Sequence, residues 1–214
     1  MVLFFAAWTV RATLLYAVDE TIGSPILKAV YSNLLKLLIW VLPAMGFVAW
    51  LKGEKPAQYW ALSSFPTRQQ WKRCVIATAV FLLAVAAFGV TLGHKSVSLA
   101  ALASTPLALS LLSLLVSPFL EEVLFRGFVL KELLSLSPLA VANPLTSLLF
   151  LGAHLPYWLS HGGVTPAMLS NCAGVFAFSL LAGWLFAKSR SIWPATLAHT
   201  ANNTLAALLV AHGG

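Results

Sequence analysis

Two adjacent carboxylates with an arginine one helical turn later are the first residues in this chain that could do chemistry. They lie in Phe119-Leu-Glu-Glu-Val-Leu-Phe-Arg-Gly127. On a helix, Glu122 and Arg126 are four positions apart and share a face, so they can pair. Glu121 points about 100° away from Glu122, because a helix completes a turn in 3.6 residues. One carboxylate can thus be held by the guanidinium while the other faces a cavity as a general base. A cluster of charges at the end of a membrane span is the plainer alternative.

Two histidine elements follow. In Phe150-Leu-Gly-Ala-His154, the phenylalanine and the histidine lie on one helical face. In His199-Thr-Ala-Asn-Asn203, His199 and Asn203 are again four apart and can aim at one spot. Both can donate hydrogen bonds to an oxyanion. Taken singly, His154 reads as a packing residue, and His199 with Asn203 as interhelical hydrogen bonding of the kind membrane helices use.

The elements that must carry these residues are apolar helices. Of 214 residues, 60% are hydrophobic and 9% charged, against roughly 25% charged in a soluble domain. Such a chain cannot cover itself with a polar surface, and no polar stretch is long enough for an extramembrane domain. The fold class is all-α, a polytopic transmembrane helix bundle. A span needs about 20 residues, and candidates cover approximately 2–18, 29–51, 74–93, 105–126, 140–159, 168–187 and 192–211. That is about seven spans, with six to eight plausible. The fourth helix is expected to continue to about Leu134. The runs are too long and do not alternate, which disfavours a β-barrel.

The N-terminal segment lacks a basic n-region and is interrupted by Arg11, so it reads as a retained span or interfacial helix rather than a signal peptide. Trp8 and Tyr16 would suit an interface. Arg11 and Lys36 interrupt apolar spans and read as snorkelling or paired with a neighbour. Cys74 and Cys172 give neither a disulfide framework nor a Cys metal motif. His94, His161 and His212 have no assigned role.

Net charge is +7, and its distribution argues for a membrane rather than nucleic acid. Lys52, Lys55, Arg68, Lys72 and Arg73 fall in one connection, Lys131 in another, Lys188 and Arg190 in a third. All three lie on the same side of an alternating bundle, whereas the opposite side carries only Lys28 and Lys95. The positive-inside rule makes the basic side cytoplasmic, with the N-terminus inside and the C-terminus outside. The 52–73 connection, with Trp60, Phe65 and Trp71 among its basic residues, reads as a membrane-surface segment. With helix ends near Leu134, Asn143 and Ile192, Glu121, His154 and His199 lie about 20, 16 and 10 Å from the cytoplasmic ends. The polar groups then meet near mid-membrane or on its cytoplasmic side.

The ordered motifs Glu121-Glu122-x-x-x-Arg126, Phe150-x-x-x-His154 and His199-x-x-x-Asn203 resemble the CPBP family of CAAX-protease and bacteriocin-processing (Abi) intramembrane endopeptidases. The resemblance covers about residues 100–211. It divides the chain into N-terminal spans with the basic loop, 1–99, and a catalytic helix bundle, 100–214.

The resemblance implies hydrolysis of a peptide bond of a membrane-associated protein or peptide. Glu121 and His154 would activate water, and His199 and Asn203 would stabilise the oxyanion. Glu122 and Arg126 would orient the site, with Phe150 packing beside it. No cofactor is favoured. A divalent metal such as zinc remains a chemical alternative, with Glu121, His154 and His199 as its ligands, although H-E-x-x-H is absent. The competing functions are a non-catalytic membrane-binding or immunity protein of the same family, and a transporter. The expected partners are a membrane substrate and the lipid bilayer, with no nucleic acid. The expected location is a prokaryotic cytoplasmic membrane.

Overall fold

The computed structural model describes residues 2–13, 16–93 and 95–211, and among these ten helices account for 82% helical content. His94 and His212 lie outside the described residues, as do the side chains of Tyr16 and His161. We number the helices α1 (Val2–Thr13), α2 (Tyr16–Thr21), α3 (Pro25–Leu51), α4 (Pro56–Tyr59), α5 (Arg68–Thr91), α6 (Leu99–Ala103), α7 (Leu107–Leu134), α8 (Leu139–Gly162), α9 (Pro166–Ser189) and α10 (Trp193–Leu208). Five of them, α3, α5, α7, α8 and α9, are long and apolar enough to cross a membrane. Helices α1 and α10, at 12 and 16 residues, are apolar but shorter than a full span of about 20. The expected seven apolar segments are therefore five candidate spans and two shorter helices.

Helix α7 lies at the centre, because every residue from Leu120 to Leu130 is buried. It packs against α3, α8, α9 and α10. In contrast, α5 exposes Val75, Ile76, Val80 and Leu83 along most of its length. An apolar face with no protein partner suits contact with lipid.

Proline shapes the two helices that meet at the site. In α3 the turn Leu37–Val41 widens to a π-helix just before Pro43, and in α7 the turn Leu112–Val116 does so just before Pro118. A proline ring clashes with the carbonyl four residues earlier and supplies no N–H, and a wider turn gives the ring room. Two further π segments lie at Phe47–Leu51 and at Val123–Leu130, the latter directly after the two glutamates. At this level Asn33 of α3 donates through Nδ2 to the carbonyl of Leu112 at 3.3 Å.

The three basic connections gather at one face. Lys52 pairs with Glu132 at 2.5 Å, Lys131 donates to the carbonyl of Tyr59 at 2.6 Å, and Gln70 donates to that of Lys188 at 3.2 Å. At the opposite face a short ladder pairs β1 (Lys95–Val97) antiparallel with β2 (Leu209–Ala211), with Ser96 opposite Val210.

Four expectations are corrected. Trp8 is not at an interface: it is buried, 4.1 Å from the Trp40 ring, and its indole N–H donates to the carbonyl of Ala153 at 2.9 Å. Nor is Trp60 a membrane-surface residue: it is buried against Gly127, where a Cβ would stand 3.2 Å from its ring. A side chain at Gly127 would require the Trp60 ring to give by a few tenths of an ångström. The last helix stops at Leu208, because Leu209–Ala211 takes the extended form that pairs with β1. Finally, α8 begins at Leu139 rather than near Asn143. His154 then lies about 22 Å from the Leu139 end and about 12 Å from Gly162. The site is thus mid-bundle, nearer the face opposite the basic connections.

Candidate active site

The site is built on the buried turn of α7. Glu122 and Arg126 are wholly inaccessible, and Arg126 Nη1 donates to Glu122 Oε1 at 2.9 Å across the expected i,i+4 spacing. Arg126 Nη2 also donates to the carbonyl and hydroxyl oxygens of Ser179 on α9, at 3.0 and 2.8 Å. The guanidinium lies 4.8 Å from the centroid of the Phe150 ring. Burying a charge costs several kcal/mol unless it is paired and hydrogen-bonded, and α7, α8 and α9 each contribute to satisfying this one.

His199, from α10, stands between the two glutamates. Its Nδ1 is 2.8 Å from Glu122 Oε1, and its Nε2 is 3.7 Å from Glu121 Oε2. A carboxylate only accepts, so Nδ1 carries the proton of that hydrogen bond. The buried turn therefore runs as a line of partners from Arg126 through Glu122 to His199, whose Nε2 faces Glu121 beyond hydrogen-bond distance.

Glu121 lines a cavity of about 280 Å³, whose wall also includes Lys36, His154, Trp8, Trp40 and Trp158. The cavity extends toward Asp19 and Lys28, on the side away from the basic connections. Lys36 reaches in from α3 and donates to Glu121 Oε1 at 2.5 Å and to Ser117 Oγ, and Ser117 in turn donates to Glu121 Oε1 at 3.2 Å. Glu121 Oε1 is thus engaged twice, and Oε2 is the oxygen left for other work.

His154 Nδ1 lies 2.8 Å from the carbonyl of Phe150. A carbonyl accepts, so Nδ1 holds the hydrogen and Nε2 is the ring nitrogen available on a residue of the cavity wall. Phe150 itself is buried, with ring centroids 4.9 Å from Phe125, 4.9 Å from His154 and 5.8 Å from His199. It spaces the two histidines while packing under Arg126.

The structure brings Glu121, Glu122, Arg126, Phe150, His154 and His199 together. Asn203 lies one turn beyond His199 on α10, half-buried. Neither Asn203 nor His199 belongs to the cavity wall, and the Nδ1 proton of His199 is used by Glu122.

Residues 103–205, just under half of the chain, match the family described as type II CAAX prenyl endopeptidase Rce1-like. The match supports membership of the CPBP group. The match implies a CAAX-type intramembrane protease, and together with the five long apolar helices it supports an integral membrane protein. Neither a curated protein nor a solved structure matches it.

The matched span contains all seven residues singled out by the three sequence motifs, and it excludes Lys36, Trp8 and Trp40. The cavity wall thus combines residues from inside the matched stretch with residues from outside it. Lys36 and Ser117 were missed as site residues. The signal for Lys36 was present, since an ionisable side chain inside an apolar helix marks a functional site whose partner should be sought. Ser117 also stood one turn before Glu121, at the i,i+4 spacing that permits contact.

A metal centre was tested on the same geometry. Among the described residues, no three His, Cys, Asp or Glu side chains are grouped to hold a metal ion. The Lys36 ammonium stands beside Glu121, where it neutralises that carboxylate.

Proposed function

We propose that this protease is of the glutamate type, with Glu121 and His154 activating the water that attacks the scissile carbonyl. One observation carries the reading: these two residues share the wall of a single cavity, each with one polar atom fixed and one left over. Glu121 Oε2 takes the water proton, and His154 Nε2 holds the water by a second hydrogen bond. Arg126, Glu122 and His199 form a buried, hydrogen-bonded backing behind Glu121, with His199 Nε2 3.7 Å from Glu121 Oε2. Positioning of this kind raises the rate by holding reactants near the attacking geometry. No metal or other cofactor takes part.

The basic face belongs on the cytoplasmic side, where eight lysines and arginines named above meet the attraction that orients membrane proteins. The cavity then opens toward the other side, and the substrate is a membrane-anchored protein or peptide of a prokaryotic cell that presents its scissile bond there. The aromatic wall of Trp8, Trp40 and Trp158 suits an apolar segment.

The test is cleavage of reporter peptides in proteoliposomes, including a prenylated peptide ending in Cys-aliphatic-aliphatic-X, by wild type, Glu121→Ala and His154→Ala. Wild-type cleavage with loss in both variants is expected. Equal cleavage by all three overturns the assignment.

A further inference from the structure

We propose that Lys36 is a catalytic residue of this protease, the cation that receives the negative charge of the tetrahedral oxyanion as Glu121 gives it up. The inference rests on Glu121 being the base.

The argument begins with the hydrogen-bond inventory. A lysine ammonium has three N–H donors. Glu121 Oε1 and Ser117 Oγ take two of them, and Lys36 lies in the cavity wall with one left. The donors expected from the sequence are placed differently. His199 uses its Nδ1 proton on Glu122, and neither it nor Asn203 belongs to the wall. The wall holds two other cations, Arg11 and Lys28, but these pair with Asp19 and Glu20, so Lys36 is the cation of the cavity that touches Glu121.

Charge balance supplies the rest. As water attacks, one O–H bond breaks and its proton passes to Glu121 Oε2. The water oxygen bonds to the carbonyl carbon, and the carbonyl π pair moves onto oxygen. The negative charge has then left Glu121 and lies on the new oxyanion. Lys36 loses its ionic partner at the moment another forms within reach of the same cavity. In a water-poor site such a preorganised charge stabilises the transition state without reorganisation. On collapse, the oxyanion pair re-forms the carbonyl, the C–N bond breaks, and the Glu121 proton moves to the leaving nitrogen. Glu121 is again a carboxylate and recovers Lys36.

A compact ammonium on a flexible stem suits this exchange. Lys36 also lies outside residues 103–205, the stretch that carries the three sequence motifs.

The test separates transition-state from ground-state contact. In a Glu121→Gln background, which mimics the neutral glutamic acid, binding of a phosphinic peptide is compared with binding of the amide peptide of the same sequence. Lys36→Met is expected to weaken the phosphinic peptide about 10-fold or more while leaving the amide within about threefold. In the Glu121-containing protein, Lys36→Met and Lys36→Gln should lower kcat by about 100-fold with KM little changed, and Lys36→Arg should restore part of it. Equal weakening of both ligands, or no weakening of either, overturns the role of Lys36. So does kcat within about threefold of wild type in a folded neutral variant, or failure of both neutral variants to fold while the arginine variant folds. Undiminished cleavage by Glu121→Gln itself overturns the underlying reading instead.

Discussion

The Lys36 ammonium lies 2.5 Å from Glu121 Oε1, across 85 positions of sequence and between two different helices. Both side chains are about nine-tenths buried. Removing one member of a buried pair leaves the other uncompensated, at a cost of about 3–5 kcal/mol. Glu121→Gln is thus expected to lose both activity, by about 10²–10⁴-fold for a general base, and thermal stability. Adding Lys36→Met should recover most of the melting temperature and none of the activity. A double variant that melts no higher than Glu121→Gln would falsify the pairing.

Arg126 is the second buried cation, and it satisfies Glu122 and Ser179 together. Arg126→Met should destabilise the bundle by about 3–5 kcal/mol, since it strands Glu122. Arg126→Lys should be little better, because one ammonium cannot reproduce the planar fork. Denaturation in detergent, followed by tryptophan fluorescence, measures both. Wild-type stability in the methionine variant would remove Arg126 from the framework.

Helices α8 and α9 approach closely at Gly183, where an added Cβ would collide with the Asn143 side chain. Asn143 donates there to the Leu180 carbonyl at 2.9 Å, so it cannot move without losing that bond. Gly183→Ala should cost about 1–3 kcal/mol through overpacking, with activity reduced only as far as folding is. If Asn143→Ala, added to it, brings no recovery in the melting curve, the collision is not the cause.

Much of this arrangement could be read from residue type and spacing. The all-α bundle followed from long apolar runs, and the Glu122–Arg126 pair from i,i+4 geometry. What spacing could not supply was contact between helices far apart in sequence. Lys36 was visible as an odd charge in an apolar run, but nothing along the chain named Glu121 as its partner. Helix ends were the other weak point. Leu209–Ala211 is as apolar as the helix before it, and only its pairing with Lys95–Val97 makes it a strand. Trp60 looked interfacial because basic residues surround it, whereas a glycine 67 positions later made room for it in the core.

The proposed orientation has a direct check. In a variant lacking Cys74 and Cys172, a cysteine at exposed Ser63 should resist a membrane-impermeant maleimide in intact cells, and one at exposed Val164 should react. The reverse pattern would turn the cavity mouth to the cytoplasm.

Chelation tests the metal-independent chemistry. Purified protein dialysed against a strong chelator should keep its cleavage rate within about twofold. Loss of turnover that returns with one equivalent of zinc would require a metal mechanism.

The β1–β2 ladder has a consequence for how such a protease can diversify. Lys95 and Ala211 stand on neighbouring strands, about 5 Å apart, so the chain between them forms a nearly closed circuit. Everything from α5 back to α1 is attached at a single point on that circuit. Front helices can then be exchanged, or the circuit opened elsewhere by circular permutation, without cutting the line from Arg126 to His199. Such an exchange would forfeit Lys36, and with it Trp8 and Trp40 of the cavity wall.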